Sequence, residues 1–357
     1  MGVALLTGRI RLGGGEPIQV IATMNILTEL IFRISAGAHR TSARPRRPVR
    51  LTPAARRGQP ALAGGPPRTR AAVVRLGACA VAGAVTVAGC AASAGPGRRH
   101  HPHPGAAAYW TRSRLLGAQP FAGRKQSVAV AGQSHIAGPR SGLRIGALFE
   151  RDASGNHFCT ASVVASPGKD LLITAAHCIN GGKNGKGYRR DIVFIPDYRD
   201  GQAPFGVWTP ARLLVAPQWT DSSSPAYDVG FVVLKEHDGE NIEQVLGANR
   251  LGTDYRFNYL VHVTGYPDSS NAPITCVNWT SRWTSTELRF ECGGYTGGTS
   301  GSPWVIRFSP RSRTGTIVGV IGGFQDGGDS PSISYSAVLG PAIQRLYRQA
   351  EADSNQG

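Results

Sequence analysis

The chain has 357 residues, 41% of them hydrophobic and 17% charged, with a formal net charge of +17. That charge is uneven: 20 of the 39 Lys and Arg, but only Glu16 and Glu29 among the 22 acids, fall in residues 1–143, leaving that stretch at +18 and residues 144–357 at −1. A nucleic-acid surface needs Lys and Arg clustered on a folded domain with aromatics to stack on bases. Here the excess sits in an Arg-, Pro-, Gly- and Ala-rich leader, so no nucleic-acid partner is expected.

In chain order, an apolar stretch comes first, at residues 18–34, but Glu29 and Arg33 interrupt it as a membrane segment. Residues 68–94 read as a secretory signal. Arg68, Arg70 and Arg75 form its basic part, Leu76 to Val87 its apolar part, and Ala92-Ser93-Ala94 a small-residue cleavage site. A signal so far from Met1 points to a start downstream, at a codon such as that of Val49, and leaves residues 1–67 as a leader that need not be translated. Val87-Ala88-Gly89-Cys90 also has the form of a bacterial lipobox, which makes Cys90 a lipidation candidate. Acylation there would anchor the protein at the cell surface, the one membrane contact expected; cleavage after Ala94 would release it. Residues 95–143 read as a linker or propeptide. His100, His101 and His103 lie in a proline-broken tract without the fixed geometry of a metal site, so no metal is expected.

Residues 144–357 number 214, a length at which all-β barrel proteins form one domain. Short β-branched runs separated by Gly, Pro, Asn and Asp predict strands at 145–149, 158–164, 171–174, 192–195, 229–234, 260–265, 287–291, 303–307, 317–321 and 333–337. Pro341 at a first-turn position, followed by Ile343, Leu346 and Tyr347 on one face, predicts a closing helix. Of six cysteines, Cys79 and Cys90 fall in the signal. Cys159, Cys178, Cys276 and Cys292 remain, with three connectivities open.

The chemistry concentrates in three places. In Gly298-Thr299-Ser300-Gly301-Ser302-Pro303 a serine lies between small neighbours, where a carbonyl can approach and the amides of Gly298 and Ser300 can meet an oxyanion. Thr174-Ala175-Ala176-His177-Cys178 supplies a histidine, the general base that a serine hydroxyl requires. Asp228 opens an apolar run and can hold an imidazole in one tautomer. Singly, such a serine is usually a turn residue and such an aspartate a cap. Their order, His, Asp, Ser, is what gives them weight; His157, His237 and His262 have no such context.

These motifs resemble the trypsin/chymotrypsin-like serine proteases, and within them a bacterial branch that includes glutamyl endopeptidases. Val263-Thr264-Gly265-Tyr266-Pro267 and Ile317 to Gly323 resemble two further segments of that branch. The resemblance covers residues 144–357 and implies two six-stranded antiparallel β-barrels with the site in the cleft between them and a short C-terminal helix. It implies a Cys159–Cys178 bridge, leaving Cys276–Cys292. It also implies a catalytic His177, Asp228 and Ser300, an oxyanion hole at Gly298 and Ser300, polypeptide substrates, a monomer and no cofactor. Two departures bear on activation and specificity. Thr299 stands where trypsin-like enzymes have the aspartate that pairs with a new N-terminus. Gly294 and Ile321 stand where a carboxylate or a histidine would read a charged side chain. The expectation is an exported serine endopeptidase with an uncharged primary specificity and a pocket lined by Tyr295, Thr296, Ile321, Gly322 and Gly323. The alternative is a catalytically silent relative that binds a partner at the cell surface.

Overall fold

The structure, a computed structural model, describes residues 4–10, 18–25, 29–32, 98–100, 105–121, 130, 132–140, 142–185, 187–252 and 256–354. The signal at 68–94 and Cys90 lie outside them. Residues 1–85 form one unit, in which β1 (Ala4–Ile10), β2 (Ile18–Asn25) and β3 (Glu29–Phe32) make an antiparallel sheet in that order. The apolar stretch at 18–34 is thus largely strand. Among the described residues no helix is long and apolar enough to cross a membrane.

Residues 86–357 form the second unit. It opens with β4 (Arg98–His100), α1 (Ala106–Tyr109), α2 (Arg112–Leu116), β5 (Gln119–Pro120) and β6 (His135–Ile136). The first sheet follows with β7 (Ile145–Arg151), β8 (Asn156–Val163), β9 (Leu171–Thr174), the one-turn α3 (Ala176–Ile179), β10 (Arg190–Pro196), β11 (Pro210–Val215), α4 (Pro217–Ser222) and β12 (Gly230–Leu234). After α5 (Ile242–Leu246), the second sheet uses β13 (Arg250–Leu251), β14 (Leu260–Gly265), β15 (Ile274–Arg282), β16 (Glu287–Glu291), β17 (Pro303–Ser309), β18 (Thr314–Val320) and β19 (Ile333–Ala337). The last element is α6 (Pro341–Ser354).

The strand orders are β10-β7-β8-β9-β12-β11-β4, with β5 on β8, and β13-β18-β17-β14-β15-β16-β19, with β6 on β15. Each sheet therefore has six principal strands and two short additions, and the predicted all-β architecture stands. β12 is apolar and buried along its whole length because both faces are covered. Val232 and Leu234 point into the first core, while Phe231 and Val233 meet Ile317 and Val320 of the second sheet and Ile343, Leu346 and Ala350 of α6. That spacing on α6 is the one-faced stripe expected of a helix packed on a sheet.

Part of the stretch expected to be a linker or propeptide, residues 95–143, is packed against the rest of the unit. α1 and α2 pack on the first sheet, with Ala106, Trp110, Leu115 and Ala118 buried against Phe149, Val193, Ile195 and Tyr198. The indole of Trp110 donates to the Asp191 carbonyl, and the Tyr109 hydroxyl donates to Asn156 Oδ1 at 2.7 Å. A few aromatic anchors fasten a segment whose Ala, Gly and Arg content reads as unstructured. Burying one large apolar side chain is worth about 1.5–3 kcal/mol.

Candidate active site

His177 stands on α3, directly after β9, and all four residues of that turn are buried. Cys178 is bonded to Cys159 on β8, and Cys276 on β15 to Cys292 just beyond β16. The first bridge ties the histidine-bearing turn to the neighbouring strand. Asp228 follows a 3₁₀ turn at Pro225–Tyr227 and is fully buried at the head of β12. Its carboxylate accepts the His177 amide at 2.9 Å on Oδ1, and Oδ2 lies 2.8 Å from His177 Nδ1. The Gly323 amide also donates to Oδ2, at 2.8 Å. Three partners thus fix one carboxylate, and the carboxylate in turn holds the proton on Nδ1. That leaves Nε2 as the basic nitrogen. Nε2 is buried and has no hydrogen-bond partner among the described residues. Burial pulls the imidazole pKa down, but the charge and hydrogen bond of Asp228 outweigh it, and the net shift is upward.

Ser300 lies in the loop between β16 and β17 and is 2% exposed. Its Oγ donates to the Asp326 carbonyl at 3.4 Å, not to Nε2. The loop backbone is held by its carbonyls. The Gly297 carbonyl accepts the Asp268 amide at 2.8 Å, and the Thr299 carbonyl accepts both the Ser302 amide at 3.0 Å and the Ser302 hydroxyl at 2.6 Å. In a trans peptide the N–H points opposite to the C=O. The amides of Gly298 and Ser300 are therefore turned away from those contacts, and neither donates a hydrogen bond among the described residues. Gly298 has φ +88°, and a Cβ there would meet Phe158 Cε2 at 2.1 Å, so no other residue fits.

Thr160 on β8, which carries no sequence motif, fastens this loop to the first barrel. Its amide donates to the Ser300 carbonyl at 2.7 Å and its hydroxyl to the Gly298 carbonyl at 3.0 Å. The same hydroxyl accepts the Tyr266 amide at 3.0 Å.

The residues expected to line the pocket differ in their contacts and burial. Gly322 and Gly323 lie against Asp228, and a Cβ on Gly322 would come within 3.0 Å of the Asp228 carbonyl oxygen. Thr296 is partly exposed and accepts the Thr299 hydroxyl on its carbonyl at 2.7 Å. Tyr295 and Ile321 are fully buried in the second core, with the Tyr295 hydroxyl donating to the Val263 carbonyl at 2.8 Å. Among the described residues, His177, Asp228 and Asp326 are close enough to share a cation, but Nδ1 is already engaged by Asp228. Cys159, His177 and Cys178 also cluster, with both sulfurs committed to the disulfide.

No family model matches this chain, and no curated protein does. Solved structures do. The protease Anisep from Arthrobacter nicotinovorans is 27% identical, with a TM-score of 0.55, over 61% of this chain and 99% of that one. A thermostable serine protease, AL20, from an extremophilic microorganism is 25% identical, with a TM-score of 0.54, over 60% of this chain and 99% of that one. A Glu endopeptidase solved in complex with MPD aligns at 16% identity and a TM-score of 0.49. The fold is that of the trypsin/chymotrypsin-like serine proteases, and the resemblance read from the motifs is shown. Neighbours of this kind support a peptidase function for the chain.

Proposed function

We propose that the chain is an exported serine endopeptidase in which His177, Asp228 and Ser300 act as the triad and the amides of Gly298 and Ser300 form the oxyanion hole. The observation that carries this reading is the buried Asp228–His177 pair, which leaves Nε2 basic and unpartnered among the described residues; Asp326 links the pair to the serine loop, its carboxylate 4.0 Å from Nδ1 and its carbonyl accepting the Ser300 hydroxyl. In the reaction, the Ser300 side chain turns from the Asp326 carbonyl toward Nε2 and attacks the scissile carbonyl as His177 takes its proton. Catalytic hydrogen bonds are often loose without substrate, so the resting contact is no obstacle. The two amides bind the tetrahedral oxyanion. His177 then gives its proton to the leaving amine, and Asp228 stabilises the imidazolium without being protonated. Water repeats the sequence on the acyl-enzyme, and polypeptides are the substrates. Two disulfides support an extracytoplasmic location, since such bonds persist in oxidising compartments. Gly294 and the apolar Ile321 favour an uncharged primary specificity; preferential cleavage after Arg, Lys or Glu across a peptide library would refute it.

The test is fluorophosphonate labelling and casein digestion by the folded, processed protein and by its Ser300→Ala counterpart. Loss of the nucleophile is expected to cost about 10⁶-fold in turnover, by analogy with another serine protease. The contact of Ser300 Oγ with the Asp326 carbonyl favours a second reading, a silent binding protein. Absence of labelling in folded, processed protein would support that second reading.

A further inference from the structure

We propose that residues 105–121 are an intramolecular cover over His177, so that the chain is latent until this segment is displaced. This inference rests on the reading of His177 as the catalytic base. The segment is anchored at one end by Trp110 and Leu115 in the first barrel. At the other end β5 adds to β8 in parallel register, with Gln119 opposite His157 and Pro120 opposite Phe158. The next residue on β8 is Cys159, whose disulfide partner directly follows His177. This register delivers Phe121 to the histidine, with the ring centroids 5.5 Å apart and the planes inclined by 32°.

The slot that receives Phe121 is specific. The Arg189 guanidinium carbon lies 4.3 Å over its ring centroid, and His157 meets the ring edge-on at 5.9 Å. Arg189 is itself fixed, with Nη2 donating to the His177 carbonyl at 3.5 Å and Nη1 paired with Asp152 at 2.5 Å. Stacking between a cation and an imidazole is a strong placement for an aromatic side chain. On the other side, the turn at Phe324–Gly327 holds the Ser300 hydroxyl through the Asp326 carbonyl. Both reactive side chains are nearly inaccessible, His177 and Ser300 each being 2% exposed. A segment kept only for stability would need its anchor in the core. It would have no need to set an aromatic ring on the imidazole that takes the proton.

Diethyl pyrocarbonate acylates unprotonated imidazole nitrogens, and mass spectrometry reads the product histidine by histidine. In the folded whole chain His177 is expected to react slowly, and in Phe121→Ala at least tenfold faster. His237, whose side chain is 39% exposed, serves as the unchanged control. Phe121→Tyr should restore protection, and Phe121→Leu, a milder change for the fold, should raise the rate part of the way. Equal His177 rates in wild type, Phe121→Ala and Phe121→Leu would overturn the cover. Labelling of Ser300 by the fluorophosphonate separates the two ideas. If Phe121→Ala exposes His177 yet neither chain labels, the cover holds and the catalytic reading falls. If wild type and Phe121→Ala label equally fast and His177 reacts equally, the cover falls and the catalytic reading holds.

Discussion

Asp228 sets both the geometry and the charge of His177. Its two oxygens accept from the His177 amide, Nδ1 and the Gly323 amide, so the imidazole cannot turn without breaking a buried hydrogen bond. Asp228→Asn keeps the shape but removes the charge and invites the wrong tautomer. A loss of about 10⁴ in kcat is expected by analogy with a serine-protease triad. The pH profile supplies the sign. Burial depresses the His177 pKa and Asp228 more than offsets that, so the folded value is raised. The base is the unprotonated form, so kcat/KM should rise with pH through a midpoint above the ordinary histidine value of about 6.5. In Asp228→Asn burial and Arg189 are opposed only by Asp326, and the acid limb of the residual activity should move to lower pH. A limb that stays in place would show that Asp228 does not set the base.

At the level of elements, β8 does more for the site than any motif announced. Thr160 binds the Gly298 and Ser300 carbonyls and the Tyr266 amide, joining the two barrels at the nucleophile loop. Thr160→Val leaves the Gly298 carbonyl and the Tyr266 amide without this partner, at about 1–3 kcal/mol for each buried group. Freed from that hold, the Gly298–Thr299 peptide can turn, and it lies between the peptide that carries the Gly298 amide and the one that carries the Ser300 amide, so both donors lose part of their support. Removing one oxyanion donor costs about 10²–10³ in kcat, so a looser one should cost about 10–100-fold, with KM little changed. Thr160→Ser should restore both activity and melting temperature. A KM effect with kcat intact would place Thr160 in substrate binding instead. Thr160 was illegible in the sequence because its partner Gly298 lies 138 residues away and a threonine in a strand is ordinary. The pairing of His177 with Asp228 was legible, and Ser300 is proposed beside it, because such chemistry demands small neighbours, a tight turn and a fixed order. The strand pattern was legible for β9, β14, β16 and β19, whose limits match the prediction. β11 was not, its charged Arg212 blurring the apolar run, and neither were α1 and α2, whose few aromatic anchors were lost in a low-complexity composition.

For the whole molecule, a buried acid beside the site should govern how stability depends on pH. Glu150 on β7 is fully buried, and among the described residues neither carboxyl oxygen has a hydrogen-bond partner. The Nε atom of Arg189 is 3.9 Å away. Burial pushes the Glu150 pKa up to about 8, Arg189 offsetting only part of the effect. The folded chain therefore keeps Glu150 protonated up to about pH 8, whereas the unfolded chain releases that proton near 4.5. Between those values the unfolded state binds fewer protons, so the free energy of unfolding must fall as pH rises. At 1.36 kcal/mol per unit, this one group accounts for on the order of 5 kcal/mol, fully present below 4.5 and lost as pH rises through about 8. His177, also raised, adds a slope of the same sign from its unfolded value near 6.5 upward, so wild type alone cannot isolate Glu150. Glu150→Gln can, because it removes the titration and leaves His177 in place. Thermal unfolding of both chains from pH 5 to 9 should show Tm values that differ least at pH 5. The variant should pull ahead as pH rises, and parallel curves would mean that Glu150 ionises in the folded chain as it does in the unfolded one.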